Sequence, residues 1–107
     1  PLKMISKITT IKNLEKIYNI KFTAMVVDCE GALPQIINDN PYILDQINYI
    51  QIEYDWGVNE CTNFRNMLIN KKFTSVKKLP LHWKPSHGAG ALDENNELVG
   101  HEVLMRI

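Results

Sequence analysis

The chain has 107 residues with 12 basic and 12 acidic side chains, so its formal net charge is zero. This length is typical of one domain, and a hydrophobic content of 45% is enough to form a core. Disordered chains combine low hydrophobicity with high net charge, so the composition excludes that class. The balanced charge argues against a general nucleic-acid-binding protein. No apolar run approaches the ~18 residues of a membrane span, and the N-terminus lacks the apolar stretch of a signal peptide.

Two cysteines, Cys29 and Cys61, are too few for a disulfide framework, so we expect an intracellular, cytoplasmic protein. The abundance of Ile, Asn and Lys, which A/T-rich codons encode, suggests an AT-rich genome such as that of a large virus, a protist or a bacterium.

The charges are segregated along the chain. Residues 22–60 carry seven acidic side chains and no Lys or Arg, whereas residues 61–84 carry six basic side chains and no acid. Chance clustering on a solvated surface is one explanation, and a carboxylate site is the other.

In chain order, residues 9–20 have apolar side chains at helical spacing and predict an amphipathic helix. Residues 22–28 form a nearly continuous apolar run, which is typical of a parallel strand buried on both faces. Gly31 then permits a tight turn into a helical region in two pieces, 33–39 and 41–48.

The second half of the chain continues the alternation. Residues 49–55 alternate strictly between apolar and polar side chains, which predicts a strand with one buried face. The remaining predicted elements are a helix at 61–72, a strand at 73–79, a long loop at 80–97 and a last strand at 98–107. This order predicts an α/β fold with a mostly parallel sheet, helices on its faces and a closing antiparallel hairpin.

Ligands of open α/β sheets bind beyond the carboxyl ends of the strands. The first predicted strand ends at Asp28 and Glu30, and the second at Glu53 and Asp55, so these carboxylates are expected to converge at one edge. Such a cluster can act as a general base, bind substrate hydroxyls or hold a divalent cation. Capping of the following helix is the structural alternative for Asp28 and Glu30.

The remaining candidate residues and motifs give weaker indications of function. Trp56 follows the second strand, and Trp83 and His87 lie in a loop that can act as a lid over a substrate pocket. No CxxC or HExxH motif predicts a zinc site, and Cys29 between two acids is a poor thiolate nucleophile. The chain also lacks GxSxG, Walker and GxGxxG motifs.

The segment TTIKNLEKIYNIKFTAMVVDCEGALPQII, followed by INYIQIEYD, resembles the FkbM-type methyltransferase family. The resemblance covers residues 8–79. It depends on the Asp-x-Glu-Gly-Ala motif at residues 28–32, on Glu53 at the end of the next strand, and on the following helix and strand, where Lys72 replaces a more usual Gly.

The resemblance implies S-adenosylmethionine-dependent methyl transfer, usually to oxygen, on a Rossmann-like fold. With the acidic strand ends, it predicts catalytic roles for Asp28, Glu30 and Glu53. The acidic edge itself favours an acceptor bearing hydroxyls, such as a sugar, over a phosphate-rich one, and Asp55, Trp56, Trp83 and His87 are the candidate substrate-binding residues. The resemblance also implies that residues 1–107 are a single partial domain, the C-terminal half with the fourth to seventh strands of a seven-stranded sheet. The cofactor-binding residues are then expected upstream of Pro1.

Strand 22–28 is expected to be an edge in this chain alone, with unpaired backbone and apolar side chains. We therefore expect an N-terminal half-domain, a second chain or a self-dimer to cover it. Two alternatives to an enzyme remain, namely a non-catalytic structural or interaction module built on the methyltransferase fold, and a simple metal- or carboxylate-site binding domain.

Overall fold

The structure is a computed structural model that describes residues 11–27, 33–81 and 88–107. Four helices and five strands occur in this part of the chain. In chain order they are α1 (Ile11–Tyr18), β1 (Ala24–Val27), α2 (Leu33–Asp39), α3 (Ile43–Gln46), β2 (Tyr49–Glu53), α4 (Val58–Asn70), β3 (Thr74–Pro80), β4 (Ala91–Leu92) and β5 (Leu98–Met105). None of the helices in these ranges is both long and apolar enough to cross a bilayer.

The strands form one open sheet in the order β1-β2-β5-β3, with β4 paired to β5. β1 and β2 are parallel, whereas β5 runs antiparallel to β2, β3 and β4. The α/β class and the antiparallel pairing of the last two long strands are therefore confirmed.

The prediction of a mostly parallel sheet was wrong. β1, β2 and β3 all run in the same direction, but β5 lies between β2 and β3 and pairs with both. Its insertion replaces one expected parallel pair by two antiparallel pairs. The alternation of elements along the chain predicts strand direction, but it does not predict which strands become neighbours.

Alternation along β2 and β5 separates two faces of the sheet. Ile50 and Ile52 on β2 and Leu104 on β5 are fully buried, whereas Gln51 and Val103 between them are only partly covered. The buried face packs in one apolar cluster with helix residues that include Leu33, Ile43, Leu44, Phe64 and Leu68. α2, α3 and α4 thus contribute their buried residues to one face of the sheet.

The prediction that strand 22–28 is buried on both faces was also wrong. Val27 is buried, but Ala24 is exposed and Val26 is 70% exposed. Val26 lies beside Gln51 on the less covered face, and Asp28 lies outside the described residues.

Smaller differences concern the ends of elements. α4 begins at Val58, three residues before the predicted start. Gly57 at the N-cap position has non-helical backbone angles and marks the helix boundary. The second helical piece is only the single turn of α3, and the predicted loop 80–97 contains the short strand β4.

A buried charge network fixes β5 against its neighbours. Both Glu102 on β5 and Arg65 on α4 are almost completely buried. Arg65 donates from Nε and Nη2 to the two Glu102 oxygens at 2.8 and 2.9 Å, and Tyr54 Oη donates to Glu102 Oε1 at 2.7 Å. Burial, the Glu102 charge and this hydrogen bond raise the pKa of Tyr54, which keeps the phenol protonated as a donor.

We expect Glu102→Ala to lower the free energy of unfolding by about 3 kcal/mol, since it leaves Arg65 and the Tyr54 hydroxyl buried without their main acceptor. Urea unfolding monitored by circular dichroism measures the change. Glu97→Ala is the control, because Glu97 is exposed and surface changes stay within about 0.5 kcal/mol. Equal unfolding midpoints for the two variants would contradict a structural role for the network.

Candidate functional site

The carboxyl ends of β1 and β2 lie at the same edge of the sheet. The two strands are parallel, and the last paired residues are Val27 on β1 and Ile52 on β2. The predicted carboxylates can converge only if both strands end at the same edge, and this register meets that condition. Asp28 and Glu30 lie outside the described residues, so their convergence with Glu53 stays a prediction.

Glu53 ends β2 and lies next to His101 of β5. The Glu53 Oε2 and His101 Nε2 atoms are 3.8 Å apart, and their side chains are 20% and 33% exposed. Both belong to the less covered face of the sheet, where His101 also lines a cavity of about 200 Å³ together with Gln51, Lys77 and Leu79. A carboxylate beside an imidazole can hold or move a proton at this end of the sheet.

His101 is not among the site residues predicted from the sequence. Residues 98–107 are predicted only as a strand, and nothing in the sequence indicates that this strand pairs with β2. The register Glu53↔His101 follows from the insertion of β5 between β2 and β3. The histidine in LVGHEV was the available signal in the sequence, but only the pairing of β5 with β2 places it beside Glu53.

Asp55 and Trp56 follow β2 and are both half-buried. The Trp56 ring packs between Tyr54 and Phe64, with ring centroids 6.2 and 6.4 Å away. Its main-chain oxygen accepts a hydrogen bond from Cys61 Sγ at 3.2 Å. Trp56 is therefore held at the boundary between the core and the sheet edge, which limits its contact with any substrate to the part of the ring that remains accessible.

The predicted lid loop returns to this same edge. Trp83 and His87 lie outside the described residues. The chain that follows them forms a bridge between Ala89 and Gly57, and Gly90 N donates to Tyr54 O at 3.0 Å. The end of the loop is thus fixed beside Trp56, although the two predicted lid residues stay untested.

A groove between α2 and α4 adds a feature that the sequence did not reveal. Its volume is about 400 Å³, and Ile37, Phe64 and Met67 form its apolar lining. Asn38, Glu60 and Asn63 supply polar groups along the same groove. Phe64 also contacts Trp56, so the groove begins close to the end of β2.

Metal binding has no support in the described ranges. No three His, Cys, Asp or Glu side chains among residues 11–27, 33–81 and 88–107 are grouped so that they could hold an ion. A divalent cation at Asp28 and Glu30 stays a prediction from the sequence.

Cys61 is completely buried at the start of α4. Burial raises the pKa of its thiol to about 12, with smaller contributions from the nearby Asp55 and Glu60 charges. The thiolate is the reactive form of cysteine, so Cys61 is a structural residue at neutral pH.

We expect Cys61 to resist a thiol reagent at pH 8 in the native chain and to react rapidly in denaturant. A Cys29→Ser background leaves Cys61 as the only thiol, and absorbance of the released thiolate measures the labelling. Fast labelling without denaturant would contradict the buried, protonated thiol.

Comparison with protein-family models, with curated proteins and with solved structures finds no match for this chain.

Proposed function

We propose that this chain is the C-terminal half of an S-adenosylmethionine-dependent O-methyltransferase. The observation that carries the proposal is the Asp28-x-Glu30-Gly31-Ala32 motif directly after β1, followed by Glu53 at the end of β2. Support comes from the parallel register of β1 and β2, which directs the ends of both strands to one edge of the sheet.

The strand arrangement also favours this proposal. β1, β2 and β3 run in one direction, helices connect them, and β5 closes the sheet in the opposite direction. In the proposed half-domain these four strands are the fourth to seventh strands. β5 is the seventh, and it is inserted between β2, the fifth, and β3, the sixth. We propose the Rossmann-like assignment on that basis.

The backbone at Lys72 adds a local argument. The FkbM-type pattern has Gly more often at this position, and Lys72 follows α4 with φ 73°, a conformation that favours glycine. Lys72 therefore has a backbone conformation that a Gly at this position of the family pattern would adopt without strain.

In the proposed reaction, bound S-adenosylmethionine supplies an electrophilic methyl group. Asp28 or Glu30 orients the acceptor hydroxyl and takes its proton as the oxygen gains the methyl group. Glu53 at the end of the next strand is proposed to help to orient the acceptor. His101 lies beside Glu53 and holds its carboxylate in position. The chain's own contribution is orientation and proton removal.

The acceptor is proposed to be a small molecule bearing hydroxyls, such as a sugar. Asp55, Glu53 and the motif carboxylates would repel a phosphate-rich acceptor, whereas carboxylates accept hydrogen bonds from hydroxyls. The accessible part of Trp56, with Trp83 and His87 from the lid loop, would pack on the apolar side of such a ring.

The cofactor-binding residues are proposed to lie in a segment upstream of Pro1, in the same gene product or in another chain. The cytoplasm, where a reduced Cys61 and S-adenosylmethionine occur together, is the proposed location.

Calorimetry with S-adenosylmethionine tests the cofactor assignment. We expect no tight binding by residues 1–107 alone and binding once the upstream half is supplied. The complemented protein then provides the assay for the catalytic residues.

In that assay we expect Asp28→Asn and Glu30→Gln each to lower methyl transfer to a hydroxyl acceptor by ~10²- to 10⁴-fold, since proton removal is lost. Asp39→Asn is the matched control, because Asp39 is an exposed acid on α2. Variants that change the unfolding midpoint but leave methyl transfer at the control level would favour the non-catalytic module instead.

A further inference from the structure

The groove between α2 and α4 separates two helix faces that point toward each other. Its lining on α4 comes from Glu60, Asn63, Phe64 and Met67, and its lining on α2 includes Pro34 and Ile37. These positions have the three- and four-residue spacing of one helix face. Such faces on neighbouring helices commonly pack against each other, but here they leave a space of about 400 Å³. The space is therefore available to a ligand.

The groove starts at the edge of the sheet that holds the candidate site. α2 and α4 follow β1 and β2 in the chain, so both helices begin at the carboxyl ends of these parallel strands. Pro34 and Glu60 belong to the first turns of the two helices and line the end of the groove at this edge. Phe64, one turn further along α4, contacts the Trp56 ring with a centroid distance of 6.4 Å. The groove is thus continuous with the surroundings of Trp56.

The chemistry of the lining changes along the groove. At the edge of the sheet, the Glu60 carboxylate folds back over the N-cap of α4, where a Cβ on Gly57 would lie 3.3 Å from Glu60 Oε2. Further along, Phe64 is buried and Ile37 and Met67 are half-buried, so the lining becomes apolar. None of the described residues that line the groove is Lys, Arg or His. This lining suits a molecule with hydrogen-bond donors at one end and an uncharged apolar chain at the other.

We propose that the groove between α2 and α4 binds the apolar chain of an amphiphilic acceptor. The hydroxyl-bearing head of this molecule lies at the end of β2, and its chain lies along Ile37, Phe64 and Met67. The inference rests on the proposed function, because it takes the head to be the methyl acceptor. It adds a substrate class, namely hydroxyl-bearing molecules such as sugars that carry an alkyl chain.

The size of the groove favours an alkyl chain over a segment of protein. The lining from Glu60 to Met67 covers seven residues of helix rise and is about 10 Å long. A stable protein interface buries about 800 Å² per partner, whereas small-molecule pockets have volumes of about 300 to 1,000 Å³. The groove has the volume of such a pocket. Met67 has a flexible, polarizable side chain that adapts to the shape of an apolar ligand.

Binding of two glucosides to residues 1–107 tests the groove. Octyl β-glucoside, kept below its micelle concentration, has the required head and chain, and methyl β-glucoside has the same head without the chain. Each buried methylene group strengthens binding by up to about fourfold. We therefore expect octyl β-glucoside to bind at least about tenfold more tightly than methyl β-glucoside, even with partial burial.

Nuclear magnetic resonance of the isotope-labelled chain locates the ligand. We expect octyl β-glucoside to shift amide signals of α2 and α4 around Ile37 and Met67. Equal affinities for the two glucosides, or shifts confined to Val26 and Val103 on the less covered face of the sheet, would overturn the proposal.

A pair of lysine variants on α4 tests the same site. Met67→Lys places a charge in the groove and is expected to weaken binding of octyl β-glucoside at least about tenfold. Ile69→Lys is the matched control, because Ile69 is 39% exposed and lines a different cavity, beside Leu92. Equal affinities of the two variants would contradict the groove. Circular dichroism shows whether Met67→Lys still folds, and the comparison of glucosides does not depend on that variant.

Methyl transfer by the complemented protein separates this inference from the proposed function. We expect a higher kcat/KM for octyl β-glucoside than for methyl β-glucoside, and loss of this difference in Met67→Lys. Transfer to both glucosides with equal kcat/KM would overturn the groove and support the methyltransferase. Binding of octyl β-glucoside in the groove without methyl transfer to any hydroxyl acceptor would support the groove as a binding site and contradict the methyltransferase.

Discussion

The pairing of Glu102 with Arg65 is the constraint on which the rest of this structure depends. Glu102 belongs to β5, the strand inserted between β2 and β3, and its carboxylate points into the core. An ionised carboxylate in that position would be very unfavourable alone. Arg65 neutralises it with two hydrogen bonds from α4, and the hydroxyl of Tyr54 provides a third. Burial opposes the Arg65 charge, but the hydrogen bonds and charge of Glu102 outweigh it and raise the pKa of the guanidinium.

The same network extends to the turn that leads into β5. Arg65 also pairs with Glu94 at 3.2 Å, and Lys78 on β3 bonds to both Asp93 and Glu94. Asp93 Oδ1 accepts from the main-chain nitrogens of Asn95 and Glu97, which closes the turn. These hydrogen bonds, with Lys78, lower the pKa of Asp93, so the turn keeps its charged acceptor at neutral pH. β5 is thus fixed laterally by Glu102 and along its axis by the turn.

This placement of β5 explains the arrangement at the candidate site. Because β5 lies next to β2, His101 comes beside Glu53, and Gly100 O accepts from Tyr54 N at 2.8 Å. A side chain at Gly100 would meet the Leu81 backbone, with a Cβ 2.8 Å from Leu81 Cα. Glycine therefore lets β5 pass closely under the chain that leaves β3. The site on the less covered face exists because a strand late in the sequence enters the middle of the sheet.

Local sequence patterns were sufficient to predict the helices and strands, but not to predict which strands are neighbours in the sheet. The alternation in YIQIEYD predicted β2 and its buried face, and the apolar run FTAMVV predicted β1. Strand order depends instead on long-range pairing, above all on Glu102, which a strand pattern alone treats as an ordinary surface residue. The same limit applies to the site. Glu53, Asp55 and Trp56 could be selected from the end of a predicted strand, whereas His101 and the groove between α2 and α4 require the tertiary structure.

The segregated charges acquire a structural meaning once the two edges are compared. Lys77 and Lys78 of the basic segment lie on β3, where they terminate the sheet, and no charge lies on β1. The sheet can therefore gain a further strand beside β1 and not beside β3. The carboxyl end of β1 lies at the candidate site, so whatever pairs with β1 also shapes the surroundings of that site.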